Sequence, residues 1–229
     1  MSSAVGQDWD RRVAHIDEIA SSRGFQTLRN RILELAAPQA PDLVLDVGAG
    51  TGLLSLALAA RVSHVAALDI SPAMLQELQR RASQERLSNV EPVVACATQL
   101  PFDDSSLDIV VSNYCFHHLD DAGKLGALSE IYRVLRPGGR LVFADMMFGI
   151  GLSRPRDRAI LAAKIIAMLK KGIPGLLRIA KNALRFGAGR WEQPARTDWW
   201  AQALRSTGFT AIRVEPLEHE GGIASAYRP

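Results

Sequence analysis

The sequence predicts an α/β protein: a doubly wound, mainly parallel sheet with helices on both faces. Two observations carry this prediction. The apolar run Leu43-Val44-Leu45-Asp46-Val47 reads as a buried strand that passes through a glycine turn, Gly48 to Gly52, into an apolar helical stretch at 53–59. Comparable strand-like runs then alternate with helical ones, the pattern that builds βαβ units.

Residues 9–37 read as helix, with Phe25, Leu28, Ile32 and Leu35 recurring at helical spacing and Pro38 and Pro41 closing the segment. After the glycine turn and its helix comes a strand at 65–69. It ends in Asp69, and Ser71-Pro72 opens the next helix with a favourable N-cap and first turn. A third strand is expected at 93–97 and a fourth at 107–114, in the centre of the sheet. A helix at 122–135 closes with Arg136-Pro137-Gly138-Gly139 and leads into a strand at 140–145. Near the C-terminus, a helix at 198–204 stops at Gly208, and strands at 211–215 and 222–227 follow so closely that an antiparallel pair is expected. The count is seven strands, the last antiparallel.

A chain of 229 residues with 48% apolar content suits one large domain or one domain with an elaboration. The expected division is a helical cap at 1–41, a ligand-binding core at 42–148, an insertion at 149–196, and a C-terminal helix and strand pair at 197–229 that complete the core. Cys96 and Cys115 show no metal-ligand spacing, no metal site is expected, and two thiols in a chain of this size suit a reducing compartment. The first residues lack an apolar secretory core, and no apolar run approaches the ~18 residues of a spanning helix. A cytoplasmic location is expected.

The net charge of +3 conceals an asymmetry. Residues 151–196 hold eleven Lys or Arg and two Asp or Glu, a net of +9, so the rest of the chain carries −6. Within this segment, 158–171 reads as a helix with Leu161, Ile165 and Met168 on one stripe and Asp157, Lys164 and Lys171 on another. Pro174 opens a second helix, apolar at Leu176, Leu177, Ala180 and Leu184 and polar at Arg178, Lys181, Asn182 and Arg185. Three readings stand: a cap packed over a substrate pocket, a peripheral contact with an anionic membrane, and nucleic acid, which the scarcity of aromatics here disfavours.

The glycine turn selects among ligands. Strand, glycine turn and helix aim backbone N–H groups at an anionic ligand group. The spacing is G-x-G-x-G, and Leu53 occupies the position where a dinucleotide turn needs a small residue; no G-x-x-x-x-G-K-[ST] is present. With Asp46 before it, the turn resembles the first motif of the class I S-adenosylmethionine-dependent methyltransferases, in their UbiE-like, small-molecule and lipid-type branch. The resemblance continues in order through Asp69, the Leu100-Pro101-Phe102 turn and the Arg133-Val134-Leu135-Arg136-Pro137-Gly138-Gly139 run. It implies a Rossmann-like fold, S-adenosyl-L-methionine as cofactor, and methyl transfer to an O, N or C atom of a small or lipophilic acceptor. The implied cofactor residues are Asp46, Gly48, Ala49, Gly50, Gly52, Asp69, Ile70, Met74, Cys96, Ala97 and Asn113. Asp69 accepts from the ribose hydroxyls in this reading; otherwise it is a solvated acid at a strand end. Cys96 stands where the family commonly has an acid that accepts from the adenine amino group, which shifts weight onto the backbone N–H of Ala97.

Ligands in doubly wound sheets sit at the carboxyl ends of the strands, where Asn113, Tyr114, His117 and His118 fall. His117 and His118 are equal candidates for a general base, or they shape the cofactor loop; Tyr114 orients substrate or forms pocket wall. The N-terminal helix either covers the cofactor, as it does in the resembled enzymes, or packs on the sheet. A nicotinamide-dependent oxidoreductase and a non-catalytic lipid-surface module are the competing functions. Oligomeric state is left open.

Overall fold

The structure, a computed structural model, describes residues 9–149, 154–174, 176–177, 182, 184, 192–218 and 220–229. Strands β1 (Leu43–Val47), β2 (His64–Asp69), β3 (Val90–Val94), β4 (Leu107–Asn113), β5 (Leu135–Met146), β6 (Thr210–Pro216) and β7 (Gly221–Tyr227) form one sheet. Its order is β3-β2-β1-β4-β5-β7-β6. β1 to β5 pair in parallel, and β7 runs antiparallel to both β5 and β6. The Rossmann-like sheet with an antiparallel last strand is as the sequence predicts.

Strand alternation distributes the core over two layers. Val44, Val65, Ile109 and Val142 face α2 (Arg23–Ala36) and α3 (Ser55–Ala59), meeting Ile32, Leu33 and Leu58. Their neighbours Leu45, Ala66, Val110 and Phe143 face the opposite way, toward Leu128 and Ile131 of α5 (Asp121–Val134) and Trp200 and Leu204 of α7 (Thr197–Thr207). Helix α4 (Pro72–Gln84) joins the first layer by packing Leu75 and Leu78 on Ala67. Because β1 pairs with both β2 and β4, the winding reverses between β1 and β4. A crevice opens there at the carboxyl ends.

Four local expectations change. The N-terminal helix breaks at Ser22, which is extended (ψ 147°) and whose hydroxyl caps Phe25 N, giving α1 (Val13–Ser21) and α2. β3 lies three residues earlier than expected, because Val94 pairs with Asp69, the last residue of β2; beyond it the chain turns tightly between Cys96 and Gln99. β5 begins directly after α5: Leu135 pairs with Leu107 and Arg140 with Ile109, so Arg136 to Gly139 bulge out of the ladder between them. In the insertion, α6 spans Pro155–Leu169, while most of the second helix expected after Pro174, including Arg178, Ala180, Lys181 and Arg185, lies outside the described residues.

Candidate active site

The glycine turn joins β1 to α3 and locks onto β2. The N–H groups of Gly48 and Ala49 both donate to Leu68 O (2.8 and 2.9 Å), Gly50 N–H donates to the Asp69 carboxylate (2.9 Å), and Gly52 N–H donates to Ala49 O (3.0 Å). These four amides are therefore engaged within the protein, which corrects the expectation that the turn aims them at an anionic group. For Gly48, Ala49 and Gly50 the physical reason is β2, whose Leu68 carbonyl and Asp69 carboxylate need donors and find the turn nearest; Gly52 closes the turn on Ala49. What the glycines contribute is room. Gly48 has φ +74°, and a Cβ there would lie 2.5 Å from Cys115 Sγ, so its bareness lets the ends of β1 and β4 meet.

Asp46 is buried, and Ser55 Oγ donates to its carboxylate at 2.6 Å. Burial pushes its pKa up to about 7, against the opposing Ser55 hydrogen bond and with help from Asp69. Asp69 accepts from Ser71 N–H (2.9 Å) as well as from Gly50, and burial also holds its pKa above the ordinary value. Asp46, Asp69, Ile70 and Met74 all line one cavity.

The segment before α2 closes over these loops. Asp10 accepts from Ser71 Oγ (2.5 Å) and from Ala73 N–H (3.3 Å). Asp17 accepts from Thr51 Oγ1 (2.7 Å) and pairs with Arg81. The two sides of the break at Ser22 differ: α1 and the 3-10 turn before it line the crevice, and α2 packs on the sheet.

The crevice is continued by residues from beyond β3, on the far side of β2, and from beyond β4 and β5, on the other side of β1. Cys96 and Ala97 line the cavity, and Cys96 Sγ contacts Thr98 Oγ1 at 3.1 Å. Asn113 Oδ1 is buried without a hydrogen-bond partner among the described residues. Tyr114 takes a left-handed conformation (φ +55°) and sets its ring against Phe25 (5.0 Å) and His117 (5.8 Å). Burial raises its phenol pKa further, so it stays protonated. His117 and His118 lie with rings 3.9 Å apart but differ in chemistry. His118 stacks edgewise on Trp9, and burial, His117 and Arg12 push its pKa down to about 2. His117 Nδ1 lies 2.6 Å from Asp145 Oδ1, and although burial works against the imidazolium, Asp145 together with Glu192 and Glu220 outweighs it and raises the pKa.

The cavity measures about 1240 Å³. That exceeds the ~300–1,000 Å³ of an ordinary ligand pocket and leaves space for two molecules. Its far wall is apolar: Met146, Phe148 and the Leu161, Ile165, Met168 stripe of α6. A Lys164–Glu220 ion pair (2.5 Å) borders that wall. α6 is held down at its start by buried Asp157, which accepts from Gly149 N–H and Arg196 Nε (both 3.0 Å), and by Arg156, which donates to Met147 O and Gly221 O. Asp157, expected on a polar stripe, is an internal anchor instead.

The structure therefore brings to the cavity wall every residue singled out for the cofactor except Gly52; it adds Glu220 and Lys164 to that wall, and behind it Asp10, Asp17 and Asp145, which hold Ser71, Thr51 and His117. Asp145 had a signal in the sequence, an acid ending an apolar strand just as Asp69 does. The other four depend on which distant segments meet.

Residues 44–139 match a family described as a methyltransferase domain. The chain is 44% identical over 198 residues to demethylmenaquinone methyltransferase of Clavibacter sepedonicus, an alignment that covers 84% of this chain and 74% of that protein. It is 41% identical over 119 residues to demethylmenaquinone methyltransferase of Thermus thermophilus, covering 51% and 53% of the two chains. Among solved structures, a SAM-dependent methyltransferase of Aquifex aeolicus superposes with a TM-score of 0.67 at 18% identity, covering 95% of this chain and 98% of that one.

Proposed function

The chain belongs to the S-adenosylmethionine-dependent methyltransferases, and from that premise we propose that it methylates a small lipophilic acceptor held beneath α6. The observation that carries the reading is what lines the cavity: Asp46, Asp69 and Asn113, whose Oδ1 has no partner among the described residues, come from the ends of β1, β2 and β4, and Met146, Leu161, Ile165 and Met168 come from the end of β5 and from α6. The cofactor fits the strand-end acceptors. Asp69 suits the ribose hydroxyls, Ile70 and Met74 the adenine faces, and Ala97 N–H with Cys96 the adenine edge. Asp46 and Asn113 Oδ1 are acceptors for the ammonium of the methionine tail. When bound, S-adenosylmethionine supplies an activated methyl group on a sulfonium; the protein's work is alignment and exclusion of water.

The relatives above are named for demethylmenaquinone, which makes a quinol of that type the first acceptor to test. Reduced demethylmenaquinone and smaller phenols, incubated with the protein and cofactor, should release S-adenosylhomocysteine. Calorimetry should give binding of S-adenosylmethionine and none of NADH; the reverse result overturns the reading in favour of an oxidoreductase.

A peripheral membrane contact accompanies this proposal. Ile166, Leu169, Ile173, Leu176, Leu177 and Leu184 are exposed, from 48% at Leu169 to 76% at Leu184, beside Lys170 and Lys171. Clustered exposed apolar side chains flanked by cations suit an anionic bilayer surface. No described helix is long and apolar enough to cross a membrane. α6 would serve as both cavity wall and lipid face, a route by which a greasy acceptor reaches the site without crossing water.

A further inference from the structure

We propose that Asp145 is a positioning residue that fixes His117 as the Nδ1–H tautomer, leaving Nε2 to take the proton the methyl acceptor gives up. The proposal rests on the methyltransferase reading above. Asp145 is wholly buried at the carboxyl end of β5. Its Oδ2 accepts from Phe116 N–H (2.7 Å) and His117 N–H (3.2 Å), and its Oδ1 accepts from Met146 N–H (2.6 Å) and faces His117 Nδ1 (2.6 Å). Three backbone N–H groups donate to the carboxylate and leave it one direction in which to act, toward the imidazole. An ionised carboxylate only accepts, so Nδ1 must carry hydrogen and the ring's remaining nitrogen must present its lone pair. The His117 backbone is held separately, by Gln193 N–H donating to its carbonyl (2.7 Å). Ring and backbone are thus fixed at a residue that lines the cavity.

The neighbouring groups favour His117 over the other candidates. Asp145 from β5, Glu192 from the segment before α7 and Glu220 from the β6–β7 turn all favour its protonated form, while burial opposes it. His118 lies beside it with Arg12 nearby, and it remains neutral. Tyr114 keeps its proton. In the step, the acceptor X–H bond breaks and its proton moves to His117 Nε2. The X–CH3 bond forms as the methyl–sulfur bond breaks, with that electron pair staying on sulfur; His117 then returns the proton to solvent.

The first test needs no acceptor. Nitrogen-15 NMR of the imidazoles in the full chain, with S-adenosylhomocysteine added, should show His117 as the Nδ1–H tautomer, titrating above the ordinary value of about 6.5. Asp145→Asn should lower that titration and reverse the tautomer, since an amide can donate to Nδ1. An Nε2–H tautomer in the wild type, or a titration that Asp145→Asn does not move, overturns the proposal. The second test is methyl transfer to reduced demethylmenaquinone. His117→Gln and Asp145→Asn should each lower kcat by about 100-fold or more, with S-adenosylhomocysteine affinity within threefold of wild type, and the double variant should be no slower than His117→Gln. A loss under threefold in His117→Gln overturns the role. Should Asp145→Asn not fold, the wild-type tautomer and His117→Gln decide. Should the wild type bind cofactor yet transfer nothing, the acceptor reading has failed and the NMR result still decides this one.

Discussion

Asp46 shows how a single buried carboxylate ties the site to stability. Its folded pKa is raised to about 7 while the unfolded chain keeps the ordinary value near 4. Between those values the folded state holds a proton that the unfolded state has lost. Stability of the cofactor-free protein therefore falls as pH rises from about 4 to 7, by at most ~1.4 kcal/mol per pH unit from this group. Asp46→Asn should flatten that fall, which urea unfolding of both proteins at pH 5 and 7.5 would read directly. Asp69 belongs to the same scale. Asp69→Ala should weaken S-adenosylmethionine binding by about 1–3 kcal/mol, and an unchanged calorimetric affinity would remove the ribose role. Both acids were legible because each stands at, or one residue before, the end of an apolar strand. Asp145, which ends another, shows that the same signal carried information a third time. The unequal chemistry of His117 and His118 was not legible: adjacent in sequence, they differ only in what packs around them.

At the scale of elements, the N-terminal helices illustrate the limit of periodicity. Phe25, Leu28, Ile32 and Leu35 announce α2 correctly, but the partners of Asp10 and Asp17 lie more than thirty residues away on the loops they cover. Those contacts connect α1 and the turn before it to the cofactor loops, so the double variant Asp10→Ala, Asp17→Ala should speed release of S-adenosylhomocysteine about tenfold, measured by stopped-flow displacement. Ser71 has two duties: it caps α4 through Met74 N and donates to Asp10. Ser71→Ala should cost about 1 kcal/mol in chemical unfolding from the lost cap alone. The misplaced start of β3 has a comparable origin. Its register is set by β2, and a run such as Glu91-Pro92-Val93-Val94-Ala95 does not say by itself where its partner ends.

For the whole molecule, ligand linkage and charge asymmetry make separate predictions. S-adenosylhomocysteine at 100 times its Kd should stabilise the protein by about 2.7 kcal/mol, raising Tm by roughly 5–10 °C for a chain of this size; a shift under 1 °C in differential scanning calorimetry would count against the cofactor assignment to this cavity. The +9 segment should bring the protein down with vesicles containing phosphatidylglycerol but not with neutral ones, and Lys170→Gln with Lys171→Gln should reduce the sedimented fraction, as should added salt. If the wild type stays in the supernatant under all conditions, the segment is a cap and no more.

The sequence by itself determined the layered architecture, the order of strand and helix, and most of the residues gathered at the ends of β1, β2 and β4. These rest on local rules: two-residue and 3.6-residue periodicity, glycine where the backbone must turn, and acids at strand ends. Only the tertiary structure decided that the amides of Gly48, Ala49 and Gly50 bind β2, that α1 covers the crevice while α2 packs beneath the sheet, that Asp157 anchors α6, and that His117 rather than His118 is paired with a carboxylate. Each of these depends on burial and on partners brought from distant segments. A hydrogen bond or a shifted pKa is a property of the assembled neighbourhood, and no window along the chain contains it.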